Sequence, residues 1–241
     1  MSTTRRRRSL SRSWTGAGAA VLSLGLSLGL SGCGVSGTGF QPGVAASVGD
    51  RTVTTDRVDE LVSEYCSAIE DILAQQSQVV PLSVFRSGIA GQLALVSAAE
   101  QMAEEFGVEP SDDYQRALAD IEKQIVDFTE TQQEAVLEVE GAATYVAAVQ
   151  IAVGELLLRE EGVATPGPTE SGERGREAFI TWLDENEVEV NPEYGISVDD
   201  AAINTADSSV SFAVGDAALQ GMAEEPDPAY AASLPDSQRC G

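Results

Sequence analysis

Three cysteines, thirty-nine acidic side chains and no histidine define the chemistry open to this 241-residue chain. Without an imidazole there is no Ser-His-Asp or Cys-His nucleophile system and no ordinary zinc site. Cys66 lies between Glu64 and Glu70, whose negative charge raises a thiol pKa and so works against a reactive thiolate. Asp112-Asp113 and Asp199-Asp200 are paired carboxylates, but no loop of ordered ligands with a central glycine surrounds them, so helix-cap and turn roles are expected rather than calcium. Carboxylate pairs for glycoside hydrolysis arise by chance on so acidic a helical surface. No Gly-rich phosphate loop is present, because Gly172-Glu173-Arg174-Gly175 falls in a stretch that reads as a linker. The expectation is a non-enzyme with no cofactor and no metal.

Cys33 is a different case. Arg5, Arg6, Arg7, Arg8 and Arg12 precede an uncharged run from Ala19 to Leu30, and Leu30-Ser31-Gly32-Cys33 follows. An apolar run of about a dozen residues is the core of a signal peptide, since a spanning helix needs roughly 20. A cysteine directly after Ser-Gly is the bacterial lipobox, so residues 1–32 are expected to be removed. The Cys33 sulfur then carries a diacylglyceryl group that anchors the chain on the extracytoplasmic face of the cell membrane. Arg7-Arg8-Ser9-Leu10 leaves twin-arginine and general export both open.

Loss of the leader changes the net charge from −25 to −30, with 9 basic against 39 acidic side chains. Such a body is repelled by nucleic acid and by anionic headgroups, so nucleic acid is excluded as a partner and the acyl anchor alone must hold the membrane. In an oxidising compartment the two remaining cysteines, Cys66 and Cys240, are expected to pair. A closed loop of about 175 residues gives a chain-entropy stabilisation of at most about 5 kcal/mol.

Elements must position these residues. Residues 33–43 form a Gly/Ser/Thr-containing tether. Val44 to Val48 reads as a strand, Gly49-Asp50 as a turn and Arg51 to Thr54 as a returning strand, with Thr54 or Thr55 capping a helix. Val58, Leu61, Val62, Tyr65, Ile69, Ile72 and Leu73 form its apolar stripe. A second helix is expected over Ser83–Phe106, closed by Gly107, and a third opens at Pro110-Ser111-Asp112-Asp113. Two further pieces, Gln132–Val139 and Tyr145–Leu158, are expected to break near Gly141. Residues 44–158 thus form a helical domain, 159–175 a linker, and 176–241 a return segment packing back on it. That segment holds a helix over Glu177–Glu185, strands at Val188–Val190 and Ser209–Val214, and a helical turn or two within 215–223. The fold class is mainly α.

Ala46-Ser47-Val48-Gly49-Asp50-Arg51-Thr52-Val53-Thr54 with Asp56 resembles the opening of the N-terminal module of SurA- and PrsA-type chaperones. Glu105-Phe106-Gly107-Val108-Glu109-Pro110-Ser111-Asp112 resembles the same module's helix end. Asn191-Pro192-Glu193-Tyr194-Gly195 and the ending Leu234 to Gly241 are similar to an actinobacterial lipoprotein branch of that group. The resemblance implies a SurA-N-like multi-helix domain with a small antiparallel sheet joining its N- and C-terminal segments. It implies a holdase for unfolded or exported polypeptides, with an envelope adaptor for one dedicated partner as the alternative. The parvulin isomerase domain of many such chaperones is missing, which leaves no room for prolyl isomerisation. Phe85, Ile89, Phe106, Tyr114, Phe128 and Tyr145 are the large side chains from which a polypeptide-binding groove would be built.

Overall fold

The computed structural model describes residues 42–206, 215–221, 223 and 226–241. Cys33, the leader and the segment Ser209–Val214 lie outside the described residues. The described chain is mainly helical, with a few small antiparallel sheets.

Strands β1 (Val44–Val48) and β2 (Arg51–Thr54) form a hairpin whose turn places Gly49 at φ +54°. A β-carbon there would also stand 2.7 Å from Oε1 of Gln101, so glycine serves both the backbone and the packing. Strand β4 (Val188–Val190) pairs with the other side of β1, Ala46 opposite Val190 and Val48 opposite Val188. The order β2-β1-β4 makes β1 central, and Ala45, Ala46 and Val48 are fully buried. Asn191 seals the end, its side-chain Nδ2 donating to Val44 O and its backbone N–H to Ala45 O.

Thr54 accepts from the Arg57 N–H and starts helix α1 (Thr55–Gln75), with Asp56 in the first turn. Val58, Leu61, Val62, Ala68 and Leu73 are its buried face. Helix α2 (Leu82–Phe106) follows and ends at Gly107, where φ is +64°. Helix α3 (Asp112–Glu122) carries its two aspartates in the first turn. Helix α4 (Glu130–Glu160) opens with a reciprocal cap between Thr129 and Gln132.

Here the sequence expectation needs correction. The helix is continuous through Gly141, because that glycine is a contact and not a break. Cδ2 of Leu118, on α3, would lie 2.9 Å from a β-carbon at position 141. The supposed linker 159–175 is also largely helical. Helix α4 runs to Glu160, and α5 (Pro168–Glu185) begins with Pro168 in its first turn, which leaves residues 161–167 between them. Gly175 and Ser171 are buried, and Gly154 of α4 faces them, so the small residues that read as a loop are a close helix-helix contact.

After β4 and a short 3-10 turn at Pro192–Tyr194 comes a hairpin, β5 (Ile196–Asp199) and β6 (Ala202–Thr205). Its two-residue turn holds Asp200 and Ala201 at φ +50° and +57°. Primed turns of this kind are usually announced by Asn-Gly or Asp-Gly, which explains why Asp-Ala gave no signal. Ile196 and Ile203 lean onto Gly91 of α2. Helices α6 (Asp216–Gly221) and α7 (Pro228–Ser233) follow. The chain ends in β7 (Arg239–Cys240), paired with β3 (Val80–Pro81) at the start of α2.

The main core joins the sheet to α1, α2, α4 and α5 through Val48, Leu61, Met102, Val149, Val153 and Phe179. A smaller cluster of Ala68, Ile125 and Val136 sits under α1, α4 and the segment after α3. By length and composition α2 and α4 are apolar enough to cross a membrane, but their Ala- and Val-rich faces supply the centre of this core.

Candidate functional site

Two hollows stand out on the surface of the described residues. The larger, about 520 Å³, is a groove between α1, the start of α2 and the C-terminal residues. Helical spacing brings Asp59, Ser63, Cys66 and Glu70 of α1 along one wall. Leu82 and Arg86 form another wall, and Asp236, Arg239, Cys240 and Gly241 the third. Cys66 and Cys240 are joined by a disulfide, with Cα atoms 5.8 Å apart and a separation of 174 positions in sequence. The pairing expected from compartment and count is therefore present. Four of the charges in the groove are paired, Arg86 with Asp59 at 2.6 Å and Arg239 with Asp236 at 2.6 Å, while Glu70 on the α1 wall makes no ion pair among the described residues.

The smaller hollow, about 330 Å³, lies where β2 meets α1, α2 and α4. Val53, Leu93 and Val96 give it apolar walls, and Arg57, Glu100 and Glu138 give it charge. Arg57 donates to Glu60 at 2.8 Å and also to Glu138. Beside it Arg51 donates to Glu104 at 2.7 Å and, more weakly, to Glu100 at 3.3 Å. The sharing is one-sided. The hydrogen bond to Glu104 holds Arg51 above the usual guanidinium range. Glu100 is pushed above the usual glutamate range by loss of solvent, helped by Glu104 and Glu138, and Arg51 offsets this only in part. Glu100 and Glu104 are one helical turn apart on α2, a spacing visible in sequence; the facing arginine on β2 is a tertiary event.

Tyrosines near this region are held protonated. Burial pushes the Tyr65 phenol up, and its hydroxyl donates to Glu140. Tyr114 and Tyr145 pack edge to face with centroids 5.3 Å apart, and burial followed by the charge of Glu100 raises both. Asp112 and Asp113 sit in the first turn of α3. Asp199 accepts from Ser197 Oγ and Asn204 Nδ2 within the β5–β6 hairpin, so both aspartate pairs hold cap and turn positions.

The six large side chains proposed as a groove are dispersed. Ile89 is 3% exposed and belongs to the core. Phe85 is half-buried with its ring against Tyr65, centroids 5.7 Å apart. Phe106 and Tyr145 pack against the main core, and Phe128 against the smaller cluster. None of them lines either hollow. The large apolar residues exposed among the described residues are Ile72, Val84, Val126 and Leu219, on separate elements.

A contact that sequence reading missed is Trp182 on α5, nearly buried, whose Nε1 donates to Glu105 of α2 at 2.8 Å. Compared with known proteins, the chain matches no family model, no curated protein and no solved structure.

Proposed function

We propose that this chain is a lipid-anchored lipoprotein of the extracytoplasmic face of the cell membrane, carrying a SurA-N-like fold. It acts as a holdase for exported polypeptides, binding them without catalysis. The observation that supports this reading is a small sheet shared between the N-terminal hairpin and the return segment. β1 and β2 open the body, and β4 of the return segment pairs with β1, around a bundle of long helices. The processed N-terminus at Cys33 with its acyl anchor is part of the same proposal.

A second reading is favoured by a specific observation. Both hollows are lined by paired charges, and the exposed apolar side chains are spread over separate elements. Such a surface also suits one dedicated envelope partner, because selective recognition is carried by charge complementarity. Binding of the acyl-free residue 34–241 body to several unrelated unfolded exported chains, at low and high salt, separates the two. A holdase binds all of them weakly and keeps its affinity in salt, since apolar contact is little screened. An adaptor binds none, and its own partner must then be captured from membranes.

A further inference from the structure

We infer that the Cys66–Cys240 disulfide is a thiol-exchange latch. A dithiol reductant entering the groove opens the bond and releases β7 from β3, while the helical body stays folded. This goes beyond the polypeptide-binding reading and does not depend on it.

The bond lies on the wall of the 520 Å³ groove, so small reductants and a protruding protein thiol reach it without unfolding. Its two sulfurs are not equivalent. Cys240 is 1% exposed, whereas Cys66 is half-buried, so the incoming thiolate meets Cys66. Cys240 is then the leaving group. A thiolate of a dithiol oxidoreductase attacks Cys66 Sγ, the Sγ–Sγ bond breaks, and Cys240 leaves as a thiolate that takes a proton from water. The second thiolate of the reductant attacks the mixed disulfide and frees Cys66, which is protonated in turn. Two electrons pass to the chain, and the reductant ends as a disulfide.

Backbone pairing ties the C-terminal strand down only briefly. β7 and β3 pair over two residues each, and Pro81 has no N–H to give to that ladder. The one ion pair of Arg239 among the described residues is with Asp236, inside the same terminal segment. Gly241 docks in a notch where an added β-carbon would lie 2.5 Å from Gln78 O and 3.1 Å from Leu73 Cβ. By contrast α4, α5 and the main sheet are held by a core that includes neither cysteine. Opening the bond therefore separates a weakly held terminus from a body with its own packing.

The test is reduction of the exported, processed protein under native conditions, followed by hydrogen exchange with mass spectrometry. The rate of reduction should rise in proportion to dithiothreitol over about two decades of concentration. After reduction, amides at Val80 and in 228–234 should exchange at least about tenfold faster, with α4 and α5 unchanged. The double variant Cys66→Ser with Cys240→Ser should reproduce that exchange pattern without reductant. A rate that levels off with dithiothreitol would show that the bond is reached only by unfolding, and the inference would be wrong. Retained protection at Val80 would sink it too, as would loss of protection across α4 and α5.

Discussion

Replacing Gly175 by alanine should separate two of the best-packed helices in the molecule. A β-carbon at that position would stand 1.7 Å from Gln150 O and 2.4 Å from Gln150 C. Both atoms are backbone, so no rotamer change relieves the overlap. Reaching even 3.0 Å requires α4 and α5 to move apart by about 1.3 Å, and a gap of that size forfeits about half of the dispersion contact across the interface. Overpacking usually costs about 1–3 kcal/mol, and a clash between backbones belongs at or above the upper end. Gly172, three residues earlier on α5, provides the internal control. Its added β-carbon meets nothing nearer than Ile151 Cγ1 at 3.7 Å, so Gly172→Ala should gain about 0.8 kcal/mol of helix propensity. Gly175→Ala gains the same propensity, so the two variants should differ by the overpacking alone, about 3 kcal/mol. With a urea slope of about 2 kcal/mol/M, their midpoints should lie about 1.5 M apart on either side of the wild type. A Gly175→Ala protein within about 0.5 kcal/mol of wild type would refute the close packing of α4 on α5.

Three other outcomes are expected. Because the folded pKa of Glu100 is raised, burying its charge opposes folding; stability on this account is greatest below the ordinary glutamate pKa and falls as pH rises through the shifted value. Glu100→Gln should therefore raise the urea midpoint at pH 7 and change it little at pH 4, and a lower midpoint at pH 7 would mean that pairing with Arg51 dominates. Trp14 belongs to the expected leader, so Trp182 is the single tryptophan of the processed body. Glu105→Ala leaves its indole N–H without an acceptor and should cost about 1–3 kcal/mol, with a shift in tryptophan emission, while Glu105→Gln should retain most of both. Ala201 sits at φ +57°, where a β-carbon costs about 1 kcal/mol, so Ala201→Gly should raise the thermal midpoint by about 2–4 °C in differential scanning calorimetry.

Sequence carried the features whose cause is local. The hairpin before α1 is announced by Gly49-Asp50, the cap by the pair Thr54-Thr55, of which Thr54 holds it, and the end of α2 by Gly107, each a residue whose own backbone preference fixes the element. The apolar stripe of α1 was legible because 3.6-residue periodicity acts through burial on one face, but Ile72, counted in that stripe, is 47% exposed because the neighbouring helices do not cover its position. Glycine misled where its role was tertiary. Gly141, Gly172 and Gly175 read as a break and a linker, yet Gly141 and Gly175 are the places where Leu118 and the α4 backbone come closest. Ambiguity of this kind is intrinsic, since a glycine selected for absence of a β-carbon looks the same as one selected for a positive φ.

The candidate site divides the same way. Cys66 and Cys240 were paired on count and compartment, which need no geometry, and the bond is there. The charge cluster of Arg51, Arg57, Glu100, Glu104 and Glu138 joins residues from four elements, so only the Glu100–Glu104 spacing was visible beforehand. The large side chains considered for a groove failed to gather. Size and hydrophobicity in a helix stripe specify burial, and they do not specify which of several interfaces receives the residue.

The central claim, that this body holds exported polypeptides without chemistry, is tested most directly by light scattering from an unfolded exported client as it aggregates. The acyl-free residue 34–241 body is added at increasing ratios, and the measurement is repeated with unrelated clients. The account predicts suppression at near-stoichiometric amounts for each of them. Undiminished aggregation at large excess would contradict it and leave the dedicated adaptor as the reading to pursue.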